Sequence, residues 1–307
     1  MKPKIILDCD PGHDDAVAMM LAGRTTEIIG VTTVSGNAPL SITTDNALIM
    51  TELLQLDVPV HAGAHRPLIV KPSHAEEVHG KTGLDGPKRP AITREVSSNN
   101  AVEFIISSIR EQDDVWLVPI GPLTNIALAV AQAPDIVEKV AGVSIMGGST
   151  DRGNVTSKGE FNIWADPDAA AIVFDAGFKD LRMAGLNLTH QLGIDDEVIS
   201  QLAKVGNNTA NFIADLFRFY LDAYKERTKG EVAPLHDPCA VLAITHPDLI
   251  QFQKKNVQVE TRGIHTRGMT VIDDREYSPA TLNCDVEYVI DRDAALRVII
   301  DAISTYE

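Results

Sequence analysis

Four carboxylates crowd the start of the chain. Asp8, Asp10, Asp14 and Asp15 fall within eight residues, in the run Ile5-Ile6-Leu7-Asp8-Cys9-Asp10-Pro11-Gly12-His13-Asp14-Asp15. Like charges this close repel, and taking each out of water costs on the order of several kcal/mol unless a partner compensates it. One or two such Asp at a strand exit would be ordinary caps, stabilised by a helix dipole. Four of them around a Pro-Gly turn point instead to a hard cation, Ca²⁺ or Mg²⁺, which prefers oxygen donors. Asp14 and Asp15 are adjacent on an expected helix and so point about 100° apart. That divergence lets them serve different partners.

Three further groups could join such a centre. His236-Asp237 precedes an apolar helical stretch. Alone the pair reads as a helix cap, yet a cation with about six to eight oxygen ligands needs a carboxylate from elsewhere in the chain. The run 153–162 carries Asn154, Glu160, Phe161 and Asn162. It is either a solvated loop or a set of amide and carboxylate groups for sugar hydroxyls. His79, beside Gly80, reads as a surface histidine. Gly147-Gly148 permits close backbone approach to a ligand, as any tight turn does.

The elements that must position these groups alternate. Strand-length apolar runs at 4–7, 28–34, 58–60, 115–120, 143–146 and 181–184 are interleaved with helix-period segments at 13–23, 41–55, 100–111, 125–132 and 167–176. Helices at 195–204, 208–226 and 239–245 follow, then a strand-rich stretch at 256–290 and a closing helix at 293–304. The alternation predicts an α/β fold: a single domain with a mainly parallel, Rossmann-like central sheet flanked by helices. Such sheets bind ligands at the carboxyl ends of their strands. Asp10, Asn37, Ile120 and Met146 all fall at expected strand ends and can converge there. Residues 66–98 fit neither period, and irregular segments that long in a compact domain are often functional.

The 307 residues are 44% hydrophobic, enough for a sizeable core in one domain. A formal net charge of −16 disfavours nucleic acid as a partner, because an acidic surface gains nothing from counterion release. Cys9, Cys239 and Cys284 are far apart and form no CxxC, which disfavours structural zinc and suggests a reducing compartment. No signal-peptide core follows Met1, and no apolar stretch reaches the roughly 18 residues of a membrane span. A cytoplasmic protein without a membrane partner is the expectation.

Taken together, the run Asp8-Cys9-Asp10-Pro11-Gly12-His13-Asp14-Asp15 resembles the N-terminal signature of the inosine-uridine preferring nucleoside hydrolases, a family with bacterial pyrimidine-preferring members. The likeness continues in order along nearly the whole chain. It runs through Gly36-Asn37, His79-Gly80, Pro119-Ile120-Gly121-Pro122-Leu123-Thr124-Asn125, Met146-Gly147-Gly148, Gly153-Asn154, Glu160-Phe161-Asn162 and Asp166-Pro167. It ends at Leu235-His236-Asp237-Pro238, which lacks the family's Val.

The resemblance implies hydrolysis of the N-glycosidic bond of ribonucleosides to ribose and free base. It implies Ca²⁺ held by Asp10, Asp15, Asp237 and the backbone carbonyl of Ile120, with a water whose proton Asp10 takes. Asp14, Asn37, Asn154, Glu160 and Asn162 would hold the ribose, Met146 would line its far side and Phe161 would pack nearby. His79 and His236 would face the base, with His236 the candidate acid for a purine and the acid for a pyrimidine left open, since an imidazole of ordinary pKa donates at neutral pH. An aromatic residue of the helix at 208–226 would reach the base; spacing favours Tyr224, with Tyr220 as a core residue. His13 fits pyrimidine-preferring members, so broad or pyrimidine-leaning specificity is expected. A homodimer or homotetramer is implied as well.

Two other readings compete. Haloacid-dehalogenase-like phosphohydrolases also begin with a strand and Asp-x-Asp, but usually continue to Gly-Thr, where this chain has Pro-Gly-His-Asp-Asp. A catalytically silent nucleoside-binding protein would keep the fold, although every expected metal ligand is present.

Overall fold

Alternate residues of the first strand enter different cores. Ile5, Leu7 and Cys9 pack on one face of the sheet and Ile6 on the other, the two-residue period of a strand buried on both sides. The structure, a computed structural model, describes residues 2–275 and 277–306. Its strands are β1 (Lys4–Cys9), β2 (Glu27–Thr33), β3 (Val60–Ala62), β4 (Val115–Pro119), β5 (Gly142–Met146), β6 (Leu181–Ala184), β7 (Gly193–Ile194), β8 (Ala233–Pro234), β9 (Ile250–Val259), β10 (Thr270–Asp273) and β11 (Cys284–Ile290).

Nine of these strands form one sheet in the order β10-β9-β11-β6-β5-β4-β1-β2-β3, while β7 and β8 pair separately. Pairings from β3 through to β11 are parallel, and β9 alone in this sheet runs the other way, pairing antiparallel with both β11 and β10. The expected α/β architecture is therefore present. The strand order reverses beside β1, which pairs with β2 on one side and β4 on the other. A crevice opens at the carboxyl ends of the strands at such a reversal.

One face of the sheet carries the helices His13–Thr25, Asn208–Thr228, Pro238–Thr245 and Arg292–Ser304. The other carries Ala101–Glu111, Thr124–Gln132 and Pro167–Asp175. Pro238–Thr245 buries nearly every side chain, in keeping with its almost unbroken apolar sequence. Among the described residues no helix is long and apolar enough to cross a membrane.

Several boundaries differ from the sequence expectation. The third strand is Val60–Ala62, because Pro59 has no N–H for the ladder and offers only its carbonyl, to Val31 N–H. Residues 66–98 contain one helical turn, Glu76–His79, and bridge to the sheet at His61 and Ser98. The loop at 153–162 ends in the short helix Phe161–Ala165. The last strand region begins at Ile250, earlier than expected.

Glu287 on β11 is a buried carboxyl outside the set of expected site residues. It has no exposure, and neither carboxyl oxygen has a hydrogen-bond partner. Burial pushes its pKa well above the glutamate value, only partly offset by Arg182. The folded protein thus keeps a proton that the unfolded chain releases, so this group's contribution to stability is full in acid and falls as pH rises past the ordinary glutamate pKa. Glu287→Gln, neutral at every pH, is expected to match the native protein near pH 4 and to exceed it by about 1 to 3 kcal/mol near pH 8. Urea unfolding of both proteins across that range checks this; a difference independent of pH rules it out.

Candidate active site

The reversal beside β1 holds a cavity of about 820 Å³. Its wall includes Asp14, Asn37, His79, Ile120, Met146, Asn154, Glu160, Phe161, Asn162, Tyr224, His236 and Asp237. Asp10 and Asp15 lie fully buried behind this wall. Residues scattered over most of the chain thus meet at one place.

The first helix begins at His13 with Gly12 as its N-cap, and Asp15 works backwards across that cap. Its carboxylate accepts from Gly12 N (2.9 Å), Asp10 N (3.2 Å) and Asn37 Nδ2 (3.2 Å). The Asp10 carboxylate accepts from Asn37 N at 2.6 Å through Oδ2, while its Oδ1 is buried without a partner. Both oxygens press on glycine backbone: a Cβ at Gly36 would overlap Oδ2, and one at Gly121 would overlap Oδ1.

Asp237 precedes the apolar helix Pro238–Thr245 yet makes no side-chain cap. Its carboxylate turns instead into the acidic cluster, so the simple cap reading of His236-Asp237 does not hold. Oxygens of Asp14, Asp15 and Asp237 lie within 4.8 Å of one another. The tightest trio thus contains Asp14, which the resemblance assigned to sugar, rather than Asp10. Burial first, then neighbouring carboxylates, push Asp10, Asp14 and Asp237 above the usual aspartate range; burial also raises Asp15, against its backbone hydrogen bonds. Four acids with an orphaned buried oxygen and an all-oxygen donor set fit a hard divalent cation, which would hold them ionised together.

Asp8 stands apart from this cluster. Its Oδ1 accepts from Thr32 Oγ1 (2.6 Å) and Asn125 Nδ2 (2.7 Å), tying β1 to β2 and to the helix Thr124–Gln132. Burial raises it to about 7 against those two bonds.

The amides are anchored at one end. Asn162 Nδ2 donates to the carbonyls of Ile120 (2.9 Å) and Met146 (3.1 Å), joining the ends of β4 and β5. Asn154 Oδ1 accepts from Phe161 N at 2.9 Å. Glu160 caps the helix Phe161–Ala165, accepting from Asn162 N (2.9 Å), Ile163 N (3.1 Å) and Gly148 N (2.8 Å). Burial nevertheless lifts Glu160 to about 7. The loop expected to be either solvated or sugar-binding is therefore a built wall, with Asn37 Oδ1, Asn162 Oδ1 and Asn154 Nδ2 left free of protein partners among the described residues.

A model of the inosine-uridine preferring nucleoside hydrolases matches residues 5–297. The chain belongs to this family. It is 42% identical over 311 residues to the pyrimidine-specific ribonucleoside hydrolase RihA of Shewanella sp. (strain ANA-3), covering 100% of this chain and 98% of that one. It is 39% identical over 295 residues to the pyrimidine-specific RihB of Escherichia coli O9:H4 (strain HS), covering 95% and 94%. Among solved structures, the purine-preferring ribonucleoside hydrolase from Gardnerella vaginalis superposes with a TM-score of 0.92 at 33% identity, covering 98% of each chain. The phosphohydrolase reading is not favoured by any of these.

The end of the cavity expected to face the base differs from expectation in three respects. His79 is buried, not a surface residue. Its Nδ1 lies 3.1 Å from His13 Nδ1, and a Cβ at Gly12 would sit 2.7 Å from that same nitrogen. Gly80, at φ +74, ends the short helix that carries His79, where a side chain would run into Asp85. His236 does not keep an ordinary pKa: burial, and after it His190, push it down to about 3, so it is neutral at pH 7. Tyr220 is buried and its hydroxyl donates to the Pro234 carbonyl (3.0 Å), yet it too reaches the cavity beside half-buried Tyr224.

Sequence reasoning missed Thr189, whose Oγ1 lies 2.7 Å from His236 Nδ1, and His190, which lines the cavity. Nothing in their spacing marks them. Arg227, also unmarked by its spacing, lines the cavity as well.

Proposed function

We propose that this ribonucleoside hydrolase cleaves ribonucleosides with a pyrimidine-leaning preference, using Ca²⁺ held by Asp10, Asp15, Asp237 and the Ile120 carbonyl. The observation that carries the reading is the convergence of four buried carboxylates on a cavity walled by half-free amides. The pyrimidine preference rests on the higher identity to relatives with that specificity, against 33% to a purine-preferring one. We take residues 1–307 as one catalytic domain, since a single sheet spans β1 to β11. The three free, buried cysteines suit a cytoplasmic setting. Large apolar side chains left in water at Ile264 and Tyr277 suit a homodimer or homotetramer.

Cleavage of an N-glycosidic bond builds positive charge on the sugar ring. Calcium, when bound, supplies the charge that orients and acidifies a water. Asp10 would take a proton from the attacking water; its Oδ1 is engaged by no protein donor. Asp14, Asn37, Asn154, Glu160 and Asn162 clamp the ribose hydroxyls, and that remote binding energy is available to the breaking bond. The carboxylates also favour the developing positive charge. Met146 and Phe161 close the apolar side of the sugar. His236, neutral, donates from Nε2 to the departing base while the Thr189 hydroxyl donates to Nδ1. Tyr224 and His79 contact the base.

The test is ribose release from a panel of ribonucleosides, before and after chelation. Uridine and cytidine are expected to be cleaved faster than inosine, and activity is expected to vanish with chelator and return with calcium. Full activity in chelator would exclude the metal assignment. Tight nucleoside binding without ribose release would instead favour a silent binding protein.

A further inference from the structure

The contacts of His13 bear on which nitrogen of His79 carries its proton. His13 Nε2 lies 2.9 Å from the carbonyl oxygen of Asp85. A carbonyl only accepts, so the His13 proton sits on Nε2 and leaves Nδ1 bare. That bare nitrogen faces His79 Nδ1 at 3.1 Å. The two ring centroids lie 5.3 Å apart with the planes inclined by 25°. Rings that meet nitrogen to nitrogen in nearly one plane have this spacing. The main-chain N–H of His13 also points at His79 Nδ1, at a longer 3.3 Å. Were Nδ1 bare to receive it, two lone pairs would oppose each other at the shorter distance.

We propose that the Asp85 carbonyl and His13 lock His79 as the Nδ1–H tautomer, so that its bare Nε2 faces the cavity as a hydrogen-bond acceptor for an N–H or O–H donor of the nucleoside. His13 is thereby a positioning residue for substrate selection. Nε2 of His79 has no protein partner among the described residues, and His79 lines the cavity. Phe219 and Tyr220 flank His13, with ring centroids 5.3 and 5.6 Å from its own, and keep it in place. Burial also holds His79 neutral. This acceptor complements a donor such as the uracil imide N–H. It gives no such bond to a substrate whose donor is blocked.

The inference deepens the ribonucleoside reading and rests on it for its ligand, but the tautomer can be read without substrate. Long-range ¹⁵N–¹H spectra of histidine-labelled protein, with His79 assigned by its loss in His79→Asn, are expected to show a pyrrole-type Nδ1 and a pyridine-type Nε2. The opposite pattern overturns the relay. In steady-state assays, 3-methyluridine lacks the imide donor and 5′-deoxyuridine lacks a hydroxyl donor. At least one should fall about tenfold or more below uridine in kcat/KM, mainly through KM. His13→Phe should bring that ratio towards one. His13→Gln, whose amide both donates and accepts, should restore it. A ratio unchanged in a folded His13→Phe protein overturns the proposal. Absence of ribose release from uridine would overturn the substrate reading alone, and the nitrogen spectrum would still decide the relay.

Discussion

Asp10→Asn is expected to lower kcat on uridine by about 10³-fold, with the fold intact. The substitution keeps an oxygen for the Asn37 N–H, which now reaches Asp10 Oδ2 at 2.6 Å. It keeps the shape that presses on Gly36 and Gly121. It removes the charge on Oδ1, the buried oxygen that lacks any protein partner, and with it both a cation ligand and the proposed proton acceptor. Without a cation the native carboxylates repel, and burial raises each of them. The metal-free variant should therefore melt no lower than the metal-free native protein. Calcium should raise the Tm of the native protein by mass action and leave the variant nearly unmoved. Ribose release and calorimetry with and without chelator check both halves. Near-native turnover in Asp10→Asn would remove the proposed mechanism.

The second large effect falls on the substrate. Uridine should exceed 2′-deoxyuridine in kcat/KM by roughly 10⁴-fold, because a site built to bind a hydroxyl leaves buried polar groups unpaired when it is missing. The groups at risk are specific. Asp14 is almost fully buried, and Asn37 and Asn162 each spend the amide nitrogen on the protein. Their remaining oxygens look into the cavity with nothing else to bind. Competition between the two nucleosides in one assay measures the ratio directly. Equal turnover would mean that the amides clamp something other than ribose hydroxyls.

The elements were legible because their periods are strong. β1, β2 and β4 are each built on a short apolar or β-branched run, and the helices Ala101–Glu111 and Asn208–Thr228 fall within a few residues of their expected limits. Boundaries slipped where backbone chemistry outweighed pattern, as at Pro59 before β3. The wall at 153–162 was ambiguous because Glu160 and Asn154 act through backbone N–H groups, which no side-chain spacing reveals.

By itself, the sequence determined that carboxylates crowd one strand exit, that the sheet is mainly parallel, and that strand ends near Asp10, Asn37, Ile120 and Met146 can meet; that Asp8 leaves the cluster for Thr32 and Asn125 was not legible in it. Local spacing and burial of apolar runs suffice for those conclusions. Only the tertiary structure decided that Asp237 joins the cluster rather than capping its helix, that His236 is neutral, and that His79 is buried against His13. Each of these depends on desolvation and on partners between 46 and 223 residues away in the chain, which set charge and burial but leave no local trace.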